Sequence, residues 1–139
     1  MARPPRAAIS KATFDEMSEF RYRMRRFQRF SEHAARSHGI TPLQYLLLLH
    51  IKGYPGREYA GVGELAERLQ AHPHGVVALV SRCERRGLVR RRTGKTDRRK
   101  VEVRLTSKGE RLLLQLALLH RAELKSSFRG ALPGLLKDS

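Results

Sequence analysis

Arginines and lysines crowded at the tip of a short hairpin do one kind of chemistry well: they hold phosphate. Between Gly87 and Gly109, GLVRRRTGKTDRRKVEVRLTSKG, two β-type runs flank Gly94, Lys95, Thr96, Asp97, Arg98 and Arg99. The first run is Leu88 to Thr93. The second is Lys100 to Leu105, where Val101, Val103 and Leu105 alternate with Lys100, Glu102 and Arg104, the period of a half-buried strand. Gly94 supplies backbone freedom at the turn, and Asp97 can accept hydrogen bonds from a neighbouring arginine or from the loop backbone. A tip held in one shape presents its guanidinium groups at lower entropic cost. Such a hairpin suits a phosphate-lined groove better than a protein interior, which makes DNA the expected partner.

The distribution of charge separates this hairpin from an ordinary solvated surface. Residues 82–104 hold eleven Lys and Arg against Glu84, Asp97 and Glu102, a net +8 and half of the chain's formal +16. In residues 37–81 three basic and three acidic side chains cancel. Focused basicity is the electrostatic footprint of a nucleic-acid-binding surface. At 139 residues and 40% hydrophobic, the chain has the size of one domain with a modest core, and no apolar run is long enough to span a bilayer. The start, Met1 to Ser10, carries two early arginines and Pro4-Pro5 but no apolar stretch, which predicts a flexible arm over 1–12 instead of a secretory signal. A single cysteine, Cys83, excludes an internal disulfide framework and fits a reducing cytoplasm.

Helices must position the hairpin. Phe14, Met17, Phe20, Met24, Phe27, Phe30 and Ala34 recur at steps of three and four, predicting a long helix over 13–38 that Gly39 ends. Thr41-Pro42-Leu43-Gln44 announces a second helix, with Thr41 as cap, Pro42 at the first helical position and Gln44 completing a capping box. Tyr45 to Ile51 is apolar nearly all round, so this helix belongs to the core, and Gly53 closes it. Arg57-Glu58-Tyr59 has the makings of a minimal strand. A third helix runs from about Val62 to Gln70 with Leu65, Ala66 and Leu69 inward. After a break at Gln70-Ala71-His72, Pro73 starts a fourth, with Val76, Leu79, Val80 and Cys83 on its buried face. The opposite face carries His74, Val77, Ala78, Ser81, Arg82 and Arg85, the side chains that enter a major groove when a recognition helix docks. Periodicity alone fits an ordinary αα corner equally well, and the basic hairpin that follows at once decides for the helix-turn-helix. From Thr106 onward Leu112, Leu113, Leu116, Ala117, Leu119, Leu124 and Phe128 form an apolar face broader than one small core uses, and Ala131 to Leu136 reads as a short terminal helix interrupted near Pro133-Gly134.

The expected fold is therefore mainly α with a small β-hairpin wing: a winged helix-turn-helix over 41–105, flanked by N- and C-terminal helices over 13–38 and 106–139. Leu43 to Leu49, Gly63 to Leu69, Val80 to Val89, Thr96-Asp97-Arg98-Arg99 and Leu105-Thr106-Ser107-Lys108-Gly109, in that order, resemble the successive landmarks of the MarR-type transcriptional regulators. The resemblance implies a homodimer whose first and last helices intertwine. It also implies two winged helices spaced for a pseudo-palindromic double-stranded DNA operator, and control of transcription that a small-molecule effector often relieves. Carried over by position, Asp97 braces the wing, and Arg99 with Arg98 reaches the minor groove or its phosphates, with Lys95 beside them. An effector pocket between the dimerisation helices and the DNA-binding lobe would draw on Tyr22, Phe27, Tyr45 or Leu49.

The chain departs from the family pattern at the entry to the recognition helix. Where many relatives are polar, it reads His72-Pro73-His74-Gly75-Val76-Val77-Ala78. Direct hydrogen-bond readout of bases should be sparse: His74 is placed for a base edge or phosphate, Val77 or Ala78 for thymine methyls, and Arg82 and Arg85 for the backbone. Groove width and DNA deformability then carry much of the discrimination. The histidines lack metal-site spacing, Cys83 lies on the inward register, and no nucleophile and base pairing or Gly-rich phosphate loop points to catalysis, so no metal, cofactor or enzymatic role is expected. The reading is a dimeric, sequence-specific regulator, a repressor by preference. Its alternative is an architectural nucleoid-type protein with little sequence preference, and RNA binding is weakened by the lack of an aromatic stacking platform in the basic region.

Overall fold

The computed structural model describes Ala2 and residues 8–129. The elements run α1 (Lys11–Ser37), α2 (Pro42–Lys52), β1 (Tyr59–Ala60), α3 (Val62–Leu69), α4 (Pro73–Arg85), β2 (Val89–Thr93), β3 (Val101–Leu105) and α5 (Ser107–Ser127). The helix expected at residue 13 starts at Lys11, because the Ser10 hydroxyl caps it by accepting from the Thr13 amide at 3.2 Å. α1 thus takes in residues 11 and 12 of the expected arm, and the terminal helix read at Ala131 to Leu136 lies outside the described residues.

Local chemistry sets the boundaries. The capping box on α2 forms as read: the Gln44 amide donates to Thr41 Oγ1 at 3.2 Å and the Thr41 amide to Gln44 Oε1 at 2.9 Å. Gly39 and Gly87 end α1 and α4 in the left-handed region, at φ 78° and 71°. The break between α3 and α4 is made by Gln70, a non-glycine at φ 50° whose side chain donates to the Glu67 carbonyl at 2.8 Å. The core gathers Leu47, Leu48 and Ile51 of α2, Leu65 of α3, Val76, Val80 and Cys83 of α4, and Val89 and Val103 of the strands. The inward faces of α3 and α4 are those the periodicity predicts.

The wing is wider than a hairpin. The strands form one antiparallel sheet in the order β1-β3-β2, with Arg104 between Tyr59 and Arg90. The minimal strand falls at Tyr59–Ala60, one step past the expected Arg57-Glu58-Tyr59, where fully buried Ala60 pairs with fully buried Val103 of β3. Val101, expected to face inward, is 42% exposed: β1 reaches only as far as Val103, so the first rung of β3, next to the wing tip, has no core beneath it. Gly109 lets α5 leave the sheet. A Cβ there would run into the Leu88 carbonyl, and around it Thr106 Oγ1 donates to the Gly87 carbonyl at 2.5 Å while accepting from the Gly109 amide at 3.0 Å.

α1 and α5 pack along each other in opposite directions, with Phe20 and Phe27 against Phe128 and Phe30 against His120. Their other surfaces leave Phe14, Met17, Leu114 and Leu118 at least half exposed. None of the helices among the described residues is long and apolar enough to cross a membrane.

Candidate nucleic-acid interface

Two basic surfaces adjoin where Arg91 of β2 reaches α4. The outer face of α4 presents His74, Val77, Ala78, Arg82 and Arg85 to solvent, with His72 exposed just ahead of its first turn. Next to it the wing tip carries exposed Lys95, Arg98, Arg99 and Lys100. All the residues singled out on these two elements lie on the surface except Ser81 and Asp97, which are half-buried.

Asp97 is turned into the tip. Its carboxylate accepts from the Arg99 amide at 3.0 Å and lies 3.6 Å from Arg99 Nε, while its carbonyl accepts from the Lys100 amide at 3.1 Å. That Asp97–Lys100 turn fixes the tip backbone and leaves the Arg99 side chain 95% exposed. Gly94 is needed for a different reason than the turn freedom expected of it. Its φ is not positive, but a Cβ would sit 2.7 Å from the Asp97 carbonyl, so only glycine lets the two sides of the tip close.

Ser81 has a partner that the sequence did not disclose. Arg91 of β2 reaches across to α4 and donates to Ser81 Oγ at 2.7 Å, to the Val77 carbonyl at 3.1 Å and to Glu84 Oε1 at 2.8 Å, while its own amide donates to Glu84 Oε2 at 3.0 Å. One arginine thus fastens the wing to the recognition helix, and the Ser81 hydroxyl serves that brace. Arg86 is used in the same way, donating to the Gly39 carbonyl at the end of α1. Arg104 is half-buried and pairs with Glu102 at 3.0 Å. Three of the eleven cations counted in the basic segment are therefore structural, and the other eight are exposed on α4 and the wing. The only sequence signal for Arg91 was its place on the inward register of β2, where an arginine needs partners.

The four residues read as an effector pocket are not brought together. Tyr22 is 54% exposed on the outer face of α1 beside Arg25, Arg26 and Arg29. Phe27 and Tyr45 pack instead around His120, whose ring stacks on Tyr45 at 4.2 Å and meets Phe27 edge-on at 5.9 Å. Leu49 alone borders an open groove of about 430 Å³, mostly apolar, between α2 and α5 with Leu113, Leu114 and Ala117.

His120 is 4% exposed and fully partnered. Because a carbonyl only accepts, the 2.7 Å contact to the Leu116 carbonyl assigns the proton to Nδ1, and Nε2 then accepts from the Ser31 hydroxyl at 2.7 Å. Burial lowers its pKa, partly offset by the Leu116 hydrogen bond. Burial also raises Tyr45 to about 12. Cys83 is fully buried and its thiol is pushed up to about 11 by burial, with Arg86 acting the other way, so it carries little of the thiolate that redox chemistry requires. Among the described residues no three His, Cys, Asp or Glu side chains gather to hold a metal ion.

Comparison with known proteins names the arrangement. The MarR family profile matches residues 38–100, which span α2 through the wing tip. A transcriptional regulatory protein named for the hcr operon of Thauera aromatica is 30% identical over 118 residues, covering 80% of this chain and 69% of that protein. The chain belongs to the MarR family. As a MarR-family protein it is a DNA-binding transcriptional regulator and not an enzyme. The repressor MdtR of Bacillus subtilis is 32% identical over 72 residues, and that match spans less than half of MdtR, 44%. A MarR family protein from Bacillus stearothermophilus shares the fold with a TM-score of 0.73 at 25% identity, covering 88% of this chain and 84% of its own. MepR of Staphylococcus aureus, solved with an oligodeoxyribonucleotide as its F27L mutant, superposes with a TM-score of 0.66 at 19% identity over 80% of each chain.

Proposed function

We propose that this MarR-family protein is a homodimeric repressor that reads a pseudo-palindromic operator, with the recognition helix in the major groove and the wing in the adjacent minor groove. The observation that carries the reading is the division of labour among the arginines. Arg91 and Arg86 are spent on fixing the wing and α4, while the side chains of Arg82, Arg85, Arg98 and Arg99 stay exposed on α4 and the wing tip. A braced surface with free cations is preorganised for phosphate. The recognition face offers DNA two histidines, Val77 and Ala78 but few fixed donors, so groove shape supplies much of the specificity.

Dimerisation is supported by Phe14, Met17, Leu114 and Leu118, which a lone protomer leaves in water. A small apolar effector fits the groove beside Leu49 and Leu113, where α2 of the lobe meets α5, and its binding would change the angle between them. The setting is cytoplasmic, as operator binding requires.

Capture of genomic fragments by the purified protein, followed by sequencing, tests the reading. A regulator retains one or a few short two-fold-related sites; an architectural protein retains fragments without enrichment.

A further inference from the structure

On the outer face of the sheet, away from the Arg91 brace, five side chains alternate as cation and ring. Arg68 of α3 lies 5.4 Å from the Tyr54 ring centre, and Arg57 lies 4.4 Å from the same ring on the loop that leads to β1. The Arg57 guanidinium is also 4.8 Å from the Tyr59 ring of β1, and Arg104 of β3 is 4.4 Å from Tyr59. The stack therefore runs Arg68, Tyr54, Arg57, Tyr59, Arg104, from the first helix of the helix-turn-helix to the middle strand of the wing. Two carboxylates hold it in register: Glu64 pairs with Arg57 while accepting from the Gly61 amide at 2.9 Å, and Glu102 pairs with Arg104. Arg104 Nε is buried and makes no hydrogen bond among the described residues; the guanidinium bonds Glu102 through Nη2 and lies over the Tyr59 ring.

Arginine suits this role because its flat guanidinium stacks on an aromatic face and is weakly hydrated, so partial burial costs it little. Two members of the stack, Arg57 and Tyr59, also line an open groove of about 520 Å³. Arg57, Tyr59 and Glu64 stand on one side and Gly94, Asp97 and Lys100 of the wing on the other. The width of that groove is the distance between the wing tip and the start of α3.

We infer that this arginine–tyrosine ladder is a positioning device that sets the height of the wing above the helix-turn-helix, and so contributes to operator selection without touching DNA. The inference rests on the proposed reading of DNA shape by the wing. Arg91 ties β2 to α4 on one face of the sheet and the ladder ties β3 to α3 on the other, so the wing can neither tilt nor slide while both hold.

The test compares wild type, Tyr59→Leu, Tyr59→Phe and Arg57→Gln. Each is titrated against two versions of the captured operator that differ only in the wing-contacted flank, one an A-tract with a narrow minor groove and one rich in G·C. Wild type and Tyr59→Phe should prefer the A-tract version by about tenfold, as expected when groove shape is read by a fixed wing. Tyr59→Leu and Arg57→Gln should bring the preference to within about twofold while affinity for random DNA is unchanged, since the phosphate-holding cations remain. Amide exchange at residues 94–100 should quicken in those two variants and not in Tyr59→Phe. Retained preference and unchanged exchange in Tyr59→Leu and Arg57→Gln would overturn the ladder. If wild type itself fails to distinguish operator from random DNA, the proposed function fails, and the exchange measurement still judges the ladder in the free protein. Should Tyr59→Leu not fold, Arg57→Gln decides.

Discussion

Arg91 and Arg99 are both exposed-looking arginines in the sequence, yet the structure gives them opposite jobs, and salt dependence separates these. Arg91→Met removes three side-chain hydrogen bonds to α4, one of them in an ion pair whose members are 29% and 40% exposed. At that exposure the pair contributes on the order of 0.5 kcal/mol. The remaining two bonds add about 1 kcal/mol each, giving a stability loss of about 2.5 kcal/mol for Arg91→Met. Its effect on DNA binding acts through the wing: affinity falls, but no phosphate contact is lost. Arg99→Ala should leave the fold alone, since that side chain is 95% exposed, but should remove the proposed phosphate contact from each protomer. With a slope near −0.9 per contact, the plot of log affinity against log salt should flatten by about 1.8 per dimer for Arg99→Ala and stay parallel to wild type for Arg91→Met. Fluorescence anisotropy on the captured operator between 50 and 200 mM salt, beside urea unfolding of each variant, supplies both numbers. A slope that flattens in Arg91→Met, with no loss of stability, would refute the brace and return Arg91 to the DNA-binding surface.

Gly109→Ala should destabilise by about 3 kcal/mol or more, read by thermal or urea unfolding, because the new methyl meets the Leu88 backbone, which cannot give way as a side chain would. His120 and His50 are both held below the ordinary histidine value, chiefly by burial, with Arg68 adding to the effect on His50. The unfolded chain therefore binds protons first. Their stabilising contribution is complete above about pH 6.5 and declines as pH falls from there toward the folded values, so unfolding midpoints should drop across that window and drop less in His120→Gln. Leu118→Glu places a charge on an apolar surface that is 50% exposed in the protomer; sedimentation should show wild type as the proposed dimer at micromolar concentration and the variant as a monomer, with helix content kept.

What was legible in the sequence was what is written locally. The Thr41 and Gln44 capping box, the inward faces of α3 and α4 and the Asp97 turn each depend on residues a few positions apart, and each forms as read. Residues joined across the fold left no such pattern. Arg91 looks like one more cation until β2 is laid beside α4, and Tyr54, Arg57 and Tyr59 look like loop composition until β1 pairs with β3. Val101 continues the alternation of its strand, but the sheet below it has ended. The effector pocket was misassembled for a related reason: Phe27 and Tyr45 are apolar side chains of the right size, and the buried His120 claims both. Gly109 was visible as a landmark, but its reason, a helix start pressed on the Leu88 carbonyl, exists only in three dimensions.

The claim on which all else depends is that this winged helix discriminates among DNA sequences. Its most direct test is the ratio of affinities, at one fixed physiological salt concentration, for the captured operator and for the same base pairs in scrambled order. The account predicts a ratio of about a thousand or more, with two protomers bound per operator. A ratio near one, with the same steep salt dependence for both duplexes, would contradict it and leave a protein that holds DNA by charge alone.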